Sequence, residues 1–353
     1  MHESMKTIEA IRLRVKETMA YRLLSICVHF NKVTSAIAAN KRAEKGLARM
    51  ALAWRVASAF VRESWLPQDY FSYGYEGMTK AERHDFVSEY EFAAFKARLN
   101  NYPERDMSAN KWNTYCLMKD YYGRKACMLP SKAEASAKDV CDEINQVWSG
   151  EVCAEKPFVI KPLWQCSGMG VYVEHLSIPC TVDCVEELMK DFDSSVIMEE
   201  LIEQSQVLSQ FHPHSVNTVR INTYRKGKDV RVFLPYFRIG RGENFVDNTN
   251  HGGILASIDL ESGVVEAAYD TQNNCYPQHP DTHVTFTGFQ MPRWEEAKRI
   301  VVELALKFEY LQLLGWDLAL TDNGWVVVEV NSDPGIKIAQ KHFRAEFEYL
   351  KNM

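Results

Sequence analysis

The chain has 353 residues, of which 46% are hydrophobic and 25% are charged, and its net formal charge is −6. This length allows two or three subdomains with a sizeable core, and the composition is ordinary for a globular protein. No apolar run approaches the roughly 20 residues of a membrane-spanning helix, and the N-terminus lacks the compact apolar region of a secretory signal.

Nine cysteines are scattered along the chain without a CxxC pair. An odd, dispersed set is typical of reduced thiols, and it argues against a disulfide framework or a zinc site. We therefore expect a cytoplasmic protein, with a peripheral position at the inner face of the membrane as a further option.

The first 63 residues are basic, with 12 Lys/Arg against 5 Asp/Glu and a local charge of +7. Apolar residues recur at helical spacing between Ile8 and Ile26, and a second basic helical run extends from Lys41 to Arg62. The basic side chains within the first run are Arg12, Arg14, Lys16 and Arg22. Two interpretations stay open: packed helices with solvated basic faces, or a docking surface for an anionic membrane, a lipid-linked sugar or an acidic partner.

A helix is predicted from Lys80 to Leu99, and a strand–helix–strand pattern follows from about Asn110. The stretch PFVIKP (157–162) is a short apolar strand that ends beside Lys161, and a glycine-bearing loop follows at 165–170. Two glycines between strands allow backbone N–H groups to approach phosphate oxygens. Since no Walker motif is present, this lysine and loop predict an anion site of another kind.

The strand Val196–Met198 leads directly into an acidic segment, Glu199–Glu203. Such a strand can end as an edge beside a cleft, where exposed backbone could read the edge of an adenine ring. A carboxylate such as Glu203 could then bind ribose hydroxyls. An ordinary acidic strand end is the alternative.

Residues 215–241 predict a hairpin that turns at 226–229. Arg220 and Asn222 share one face of its first strand because side chains alternate, and Arg238 lies on the second strand. The polar loop that follows carries Asp247, Asn248, His251, Gly252 and Gly253.

An amphipathic helix is predicted from about Arg293 to Leu314, with Gly315 as its C-cap. Gly315 also begins a predicted hairpin that extends to Asn331. This hairpin carries three oxygen-bearing side chains, Asp317, Glu329 and Asn331.

The turn of this hairpin decides where Asp317 points. A two-residue turn at 323–324 would pair Leu318 with Glu329 and send Asp317 to the other face. A three-residue loop at 322–324 would pair Thr321 with Trp325 and place Asp317 opposite Glu329.

We favour the three-residue loop because it leaves one face wholly apolar, formed by Trp316, Leu318, Leu320, Val326, Val328 and Val330. The other face then carries two acids and an asparagine. Oxygen ligands of this kind suit Mg²⁺ that is held jointly with nucleotide phosphates. Solvated acids on the outer face of an amphipathic hairpin are the alternative.

The order of these features resembles the ATP-grasp superfamily over about residues 85–340. The stretches HPHSVNTVRINT, FRIG, VDNTNHGG and WDLAL…VVVEVNSDPG resemble its sugar-transfer-associated branch, near proteins tied to teichuronopeptide synthesis. The resemblance implies an α+β, ATP-grasp fold in which two α+β subdomains clamp ATP. We expect a basic helical region at 1–80, a first ATP-grasp part with the lysines and glycine loop at 81–200, and a second part with the substrate strands and metal site at 201–353.

The resemblance also implies roles for individual residues. Lys111 and Lys161 would bind the α- and β-phosphates as compact point charges, and Arg220 would face the γ-phosphate and the reacting carboxylate. The loop that closes over the phosphates comprises Ser167, Gly168, Met169 and Gly170. The adenine would lie along Glu199, Glu200, Leu201 and Ile202, and the ribose would bind Glu203. One or two Mg²⁺ ions would be held by Asp317, Glu329 and Asn331.

Further candidates belong to the acceptor side of the reaction. The expected substrate-binding residues are Arg220, Asn222, Arg238, Asp247, Asn248, Gly252 and Gly253. The expected catalytic residues are Lys161, Arg220, Arg238 and His251. His251 could deprotonate an amine or act only as a hydrogen-bonding residue, and Arg238 could equally be a structural ion-pair residue.

ATP-grasp enzymes activate a carboxylate as an acyl phosphate and pass the acyl group to an amine, so the resemblance implies a carboxylate–amine ligase. Its substrates would be a carboxylate on a small molecule or glycan, such as a uronic acid of a surface polysaccharide, and an amine or amino acid. A sugar kinase with the same nucleotide site and a non-catalytic ATP-binding assembly protein are the alternatives. The acidic C-terminal two-thirds of the chain argues against a nucleic acid partner, and a homo-oligomer is compatible with the sequence.

Overall fold

The computed structural model describes residues 19–23, 33–37, 47–100, 105, 108–164, 170–242, 252–270, 274–336 and 343–353. The chain divides into two compact units: the first combines Met1–Tyr102 with Gly335–Met353, and the second comprises Pro103–Pro334. Within the described ranges, no helix has both the length and the apolar character needed to cross a membrane.

The α-helices of the described residues are α1 (Leu47–Glu63), α2 (Pro67–Ser72), α3 (Lys80–Asp85), α4 (Glu89–Leu99), α5 (Lys111–Met118), α6 (Ala137–Val147), α7 (Val182–Leu188), α8 (Gln206–Ser209), α9 (Trp294–Lys307) and α10 (Phe343–Asn352). The strands are β1 (Ala126–Leu129), β2 (Cys153–Pro162), β3 (Tyr172–Ile178), β4 (Val196–Glu200), β5 (Thr218–Lys226), β6 (Asp229–Ile239), β7 (Ile254–Ile258), β8 (Val265–Tyr269), β9 (Leu313–Thr321) and β10 (Gly324–Asn331). Residues 19–23 and 33–37 are also helical.

The described part of the first unit is helical. The inner face of α1 packs into an apolar cluster formed by Val33, Ile37, Leu52, Val56, Ala59, Trp65 and Tyr70. Helix α10 packs against α4 through aromatic rings, and the ring centroids of Phe95 and Phe347 are 5.3 Å apart. The predicted basic helical region therefore has an apolar core of its own.

The continuous helix predicted from Lys80 to Leu99 is wrong, because two helices, α3 and α4, occupy this stretch. Ser88 starts the second helix: its hydroxyl accepts a hydrogen bond from the backbone N–H of Glu91 (3.1 Å). The Glu91 carboxylate accepts one from the backbone N–H of Ser88 in return (3.3 Å). This capping box satisfies backbone N–H groups at the start of α4, and it therefore favours a new helix at Glu89.

The second unit contains two antiparallel sheets. The first sheet has four strands in the order β1-β4-β2-β3. One of its faces packs against α6 and α7, with Phe158, Ile160 and Met198 in the shared core. Because side chains alternate along a strand, Lys161 and Glu199 point to the opposite face.

The second sheet has six strands in the order β10-β9-β5-β6-β7-β8. Helix α9 covers one face, where Ile300, Val301 and Leu304 join the sheet residues in a large apolar core. The β5–β6 hairpin turns between Lys226 and Asp229, as predicted. Two antiparallel sheets with separate helices confirm the α+β class predicted from the sequence.

Helix α9 is shorter than predicted, since it ends at Lys307 and β9 begins at Leu313. Gly315 therefore lies inside a strand, and its prediction as a helix C-cap is wrong. A Cβ at Gly315 would lie 2.9 Å from the Cβ of Pro334. The glycine is required by this close approach, which the sequence cannot distinguish from a cap.

The β9–β10 hairpin uses neither of the turns considered from the sequence. Thr321 pairs with Gly324, so the loop has two residues, Asp322 and Asn323. The extra residue that the predicted three-residue loop would have supplied lies within β10 instead, as a bulge at Val328. A bulge of this kind changes the register part-way along a strand pair.

The bulge changes which residues of β10 face the core. Trp325 and Val327 lie in the core together with Val330, whereas Val326 and Val328 were predicted there. Beyond the bulge the register places Asp317 opposite Glu329, which confirms the predicted pairing. The prediction was therefore right about the acids and wrong about the turn.

Two buried histidines, His212 and His279, bind the chain immediately after β6. We call them, together with Ser215, the histidine clasp. The His279 ring is fully buried and donates from Nε2 to the carbonyl oxygen of Gly240 (2.9 Å). The His212 ring bonds to the Gly242 carbonyl oxygen through Nε2 (2.8 Å) and to the Ser215 hydroxyl through Nδ1 (2.9 Å). Burial lowers the pKa of His279, which favours its neutral form. The histidine clasp thus fixes both ends of the Gly240–Gly242 segment.

We expect Gly240→Ala to lower the free energy of unfolding by about 1–3 kcal/mol, the usual range for overpacking a tight site. A Cβ at this position would lie 2.4 Å from the Nδ1 atom of His212 and from the hydroxyl of Ser215. Urea unfolding measures the loss. The control is Gly77→Ala, since a Cβ there meets nothing within 4 Å. Equal stability of the two variants would contradict the histidine clasp.

Candidate functional site

Lys161 lies on the face of the first sheet that points away from α6 and α7. Its strand pairs with β4 so that Lys161 is opposite Ile197 and Val159 is opposite Glu199. Lys161 and Glu199 are therefore diagonal neighbours on one face, and their side chains form an ion pair. The strand alternation that builds the core also presents this lysine outside it.

Glu199 is almost completely buried, with 1% of its surface exposed. Its carboxylate accepts hydrogen bonds from the Tyr122 hydroxyl and from the Nη2 atom of Arg124 (3.1 Å), in addition to the Lys161 ion pair. Burial opposes its ionisation, but the charges of Arg124 and Lys161 outweigh burial and lower the pKa of Glu199 to about 2. The carboxylate is thus ionised and fully engaged within the protein.

Tyr122 and Arg124 were not predicted from the sequence as site residues. The Arg124 guanidinium also donates to the carbonyl oxygen of Val327 (3.0 Å), next to the bulge of β10. It therefore joins the Glu199 side chain of the first sheet to the last strand of the second sheet. A tyrosine and an arginine that follow a helix carry no spacing signal, so only the fold reveals them.

Lys111 is the first residue of α5, and the Asn110 side chain caps this helix by accepting from the N–H groups of Trp112 and Asn113 (3.0 and 3.1 Å). The Lys111 ammonium donates to the carbonyl oxygen of Pro162 (3.1 Å), the residue after Lys161. Both predicted lysines thus lie at the same end of β2. We call Lys111, Lys161, Glu199, Tyr122 and Arg124 the lysine cluster.

The residues after Glu199 differ in how far their side chains are engaged by the protein. The Glu200 carboxylate points to the other face of the sheet, where it accepts from Trp148 Nε1 (2.9 Å) and Lys156 Nζ (2.6 Å). These contacts use the side chain of Glu200 within the fold. The following residues are more accessible, with Leu201 and Glu203 exposed and Ile202 partly buried.

The predicted glycine loop lies mostly outside the described residues, which include neither Ser167, Gly168 nor Met169. Gly170 is described and has a left-handed backbone (φ 69°). This conformation favours glycine over residues with a Cβ. Asp247, Asn248 and His251 also lie outside the described residues.

Asp317 lies at the centre of a row of charged side chains across the second sheet. Its strand places it beside Arg220 of β5 on one side and Glu329 of β10 on the other. The Arg220 guanidinium donates to both carboxylate oxygens of Asp317 (2.5 and 2.8 Å), and Arg238 donates to one of them (2.8 Å). The amide nitrogen of Asn331 is 3.5 Å from the same oxygen. We call these five residues the aspartate cluster.

The charges of Asp317 and Glu329 respond differently to this setting. Burial opposes ionisation of Asp317, but Arg220 and Arg238 outweigh it and hold its pKa below the ordinary value. Burial and the neighbouring charge of Asp317 raise the pKa of Glu329, and Lys111, Arg220 and Lys161 oppose that rise. Glu329 is therefore within electrostatic reach of both lysines and of the Asp317 pair.

The aspartate cluster fits a magnesium ion that is shared with phosphate oxygens. Among the described residues, no three His, Cys, Asp or Glu side chains converge as an all-protein metal cage. Glu329 is opposite Asp317 across β9 and β10, and the Asn331 amide nitrogen is 3.5 Å from an Asp317 oxygen. Mg²⁺ is typically held by one or two carboxylates together with substrate phosphates, so this donor set suits it.

Asn222 lies beside Arg220, as their predicted shared face requires: a Cβ at Gly315 would be 3.2 Å from both the Asn222 amide oxygen and the Arg220 Nη1 atom. Asn222 is 1% exposed, and its amide donates to the carbonyl oxygen of Leu234 (2.9 Å), where β6 bulges. Leu234 has a positive φ of 48° there. The Asn222 amide thus stabilises a strained bulge.

Gly252 has a left-handed backbone (φ 88°), and Gly253 is buried. Both residues immediately precede β7.

Comparison with known families decides the assignment. The sequence profile described as sugar-transfer associated ATP-grasp matches residues 92–345, which is most of the chain. The chain belongs to the sugar-transfer associated ATP-grasp family. The family and the fold class predicted from the sequence are both confirmed.

Solved ATP-grasp structures resemble this family member at low identity. The D-alanine–D-alanine ligase of Coxiella burnetii has a TM-score of 0.41 and 12% identity, over 70% of this chain and 55% of that one. The corresponding ligase of Bacillus anthracis has a TM-score of 0.40 and 15% identity, over 72% and 68%. The N5-carboxyaminoimidazole synthase of Aspergillus clavatus has a TM-score of 0.38 and 10% identity, over 70% and 51%. No curated protein matches the chain.

The ATP-grasp fold of this chain brings most of the described site candidates together. Arg124 of the lysine cluster donates to the carbonyl oxygen of Val327, two residues before Glu329 of the aspartate cluster. The Glu200 side chain is engaged on the other face of the first sheet.

We expect Glu199→Gln to destabilise the protein, because Lys161 and Arg124 would lose their buried counter-charge. The pKa of Glu199 is about 2 in the folded protein against an ordinary value of 4.5. Its ionised form therefore stabilises the folded state by about 3 kcal/mol above pH 4.5, and this contribution is lost as the pH falls towards 2. Urea unfolding of both proteins over a pH series measures the difference.

The control for this prediction is Glu187→Gln, which removes an exposed carboxylate paired with Lys190 on the same subdomain. This variant should differ from the wild type by less than about 1 kcal/mol. A deficit of Glu199→Gln that stays constant or grows as the pH falls below 4.5 would contradict the assigned charge state.

Proposed function

We propose that the protein is an ATP-dependent carboxylate–amine ligase that works through an acyl phosphate. The observation that supports this proposal is the position of Arg124. Its guanidinium contacts Glu199, the ion-pair partner of Lys161, and the carbonyl oxygen of Val327, two residues before Glu329. This link supports a single site in which the lysines would bind a triphosphate and the acids would bind a metal. Membership of the ATP-grasp family supports the same activity.

Lys111 and Lys161 would bind the phosphates of ATP. Both ammonium groups lie at the end of β2, where Lys111 is held by the Pro162 carbonyl and Lys161 by Glu199. A lysine paired with a buried carboxylate would be held in position before the nucleotide binds. The adenine would lie along the exposed strand end at Leu201 and Ile202.

Asp317, Glu329 and Asn331 would hold Mg²⁺ together with the phosphates. When bound, the ion would neutralise charge on the phosphates and make the γ-phosphorus more electrophilic. The residues of the chain then need only fix the donor positions. The bulge at Val328 does this by setting Glu329 directly across from Asp317.

The reaction has two steps. A carboxylate oxygen of the first substrate forms a bond to the γ-phosphorus, and the bond to the bridging oxygen breaks to release ADP. The amine nitrogen of the second substrate then attacks the acyl carbon, loses a proton, and releases phosphate. No covalent bond to the protein is required.

Arg220 and Arg238 would stabilise the negative charge that develops in both steps. Arg220 donates through Nε and Nη2 to Asp317, so its guanidinium plane is already fixed. Its Nη1 atom occupies space that a side chain at Gly315 would take, since a Cβ there would lie 3.2 Å away. Donors that are oriented in advance stabilise a transition state without reorganisation.

We infer that the carboxylate belongs to a glycan, such as a uronic acid of a surface polysaccharide, and that the amine is an amino acid. The family's association with sugar transfer supports this substrate class. We also propose that the reaction takes place in the cytoplasm, because it consumes ATP there.

We expect phosphate release from ATP to require a carboxylate and an amine together, in a panel that crosses uronic acids with amino acids. Glu329→Gln should lower this turnover by about 100-fold, because even a residue that only orients a metal ligand commonly costs 10–100-fold when it is replaced. The measurement is ADP and free phosphate formed per protein.

The control is Glu295→Gln, which changes an exposed acid on α9 and should retain wild-type turnover. ADP formation with the phosphate retained on a sugar would contradict the ligase and indicate a kinase. Turnover by Glu329→Gln equal to that of the wild type would contradict the placement of the metal.

A further inference from the structure

Helix α1 is apolar on two opposite faces. Its inner face, which includes Leu52 and Val56, is fully buried in the core of the first unit. Its outer face exposes Leu47, Met50 and Trp54, with 83%, 68% and 76% of their surfaces accessible. At about 100° per residue these three side chains lie within roughly 60° of one another, opposite the buried face. We call them the α1 stripe.

The three side chains of the α1 stripe are exposed, so they do not contribute to the core formed by the described residues. A surface helix normally places polar residues on its outer face, as the pattern of a single core-facing stripe requires. Several large apolar side chains grouped on an outer face mark an interaction site more often than chance exposure. Residues 19–23 add two exposed apolar side chains, Met19 and Leu23, at 56% and 51%.

The exposed residues of the helix at 19–23 lie in the same unit as the α1 stripe, which occupies the N-terminal half of α1. Arg22 donates a hydrogen bond to the hydroxyl of Ser64, the residue that follows α1. The short helix at 19–23 therefore lies against the C-terminal end of α1, within the same unit.

The helix that carries the α1 stripe also exposes basic residues. Arg49 and Arg62 are exposed on α1, and Arg55, which is half exposed, forms an ion pair with Glu76 (3.0 Å). Over residues 1–63 the sequence carries 12 Lys/Arg against 5 Asp/Glu. The partner of this face should therefore combine an apolar surface with negative charge.

We propose that the α1 stripe docks the protein on an anionic membrane surface, with α1 lying in the plane of the interface. Tryptophan is well suited to the boundary between lipid headgroups and acyl chains, because its ring is apolar and its N–H can remain hydrated. Exposed arginines on the same helix attract anionic headgroups.

A second copy of the chain fits this face less well. A stable protein–protein interface covers about 800 Å² per partner with 20–30 residues on each side, and the stripe is far smaller. Stripe-to-stripe contact would also bring two basic regions together, which is unfavourable.

The inference deepens the proposed function by naming the surface at which a lipid-linked glycan substrate would be met. It uses residues of the first unit, whereas the nucleotide site lies in the second unit. Vesicle binding needs neither ATP nor substrate, so the two proposals can fail separately.

The test is co-sedimentation of the full chain, without nucleotide, with vesicles of phosphatidylcholine alone or mixed with phosphatidylglycerol. We expect the wild type to bind the mixed vesicles. The variant Leu47→Ser/Met50→Ser/Trp54→Ser should bind at least about tenfold more weakly, because burying even one such side chain contributes more than 1.4 kcal/mol. Arg49→Gln/Arg62→Gln should lose affinity for the mixed vesicles only.

The matched control is Val152→Ser/Tyr310→Ser, which removes two exposed apolar side chains (89% and 71%) of the second unit. It should bind as the wild type does, and circular dichroism should show equal helix content in all variants. Wild-type protein that stays in the supernatant, or a triple variant that binds equally well, would overturn the proposal. A wild-type dimer that the triple variant converts to monomer would also overturn it, since the stripe would then join two copies.

Discussion

A buried carboxylate must find positive partners, and this requirement acts most strongly at Asp317. Its side chain is 3% exposed and accepts hydrogen bonds from Arg220 and Arg238 on two neighbouring strands. Removing either partner would leave a buried charge incompletely neutralised, which typically costs several kcal/mol. The neighbouring strands β9, β5 and β6 therefore carry Asp317, Arg220 and Arg238 side by side.

The first sheet repeats this arrangement with Glu199. Its buried carboxylate holds Lys161 and Arg124, and Arg124 reaches the backbone of β10 beside the bulge. Each sheet thus contributes a buried acid that orients cations, and one arginine joins the two. Glu329 is opposite Asp317, and burial together with the charge of Asp317 raises the pKa of Glu329. A bound cation would favour the ionised form of this carboxylate, and this effect supports the proposed magnesium site.

The sequence predicted the elements that carry a strong pattern. The hairpin at 226–229, the opposition of Asp317 and Glu329, and the ATP-grasp family are confirmed. The turn of the β9–β10 hairpin was wrong, because a bulge inside a strand and a residue added to a turn produce the same register beyond them. Gly315 was wrong because a glycine needed for close packing has the same local context as a helix cap.

Other features had no local signal at all. Tyr122, Arg124 and the buried residues of the histidine clasp act through contacts with residues far away in the sequence, so their roles depend on the fold. The predicted functions of the glycine loop and of His251 stay predictions, since these residues lie outside the described ranges. The sequence of α1 is apolar on two faces, so only the structure shows which of these faces is buried and which is exposed.

The central claim is that the lysine cluster and the aspartate cluster form one nucleotide site. The most direct measurement is a double-mutant cycle with Lys161→Met and Glu329→Gln, in which calorimetry measures binding of a non-hydrolysable ATP analogue with Mg²⁺. We predict that each single variant weakens binding and that their effects are non-additive by more than about 0.5 kcal/mol, as expected for groups that share a ligand. Effects that add within this margin would contradict a single shared site.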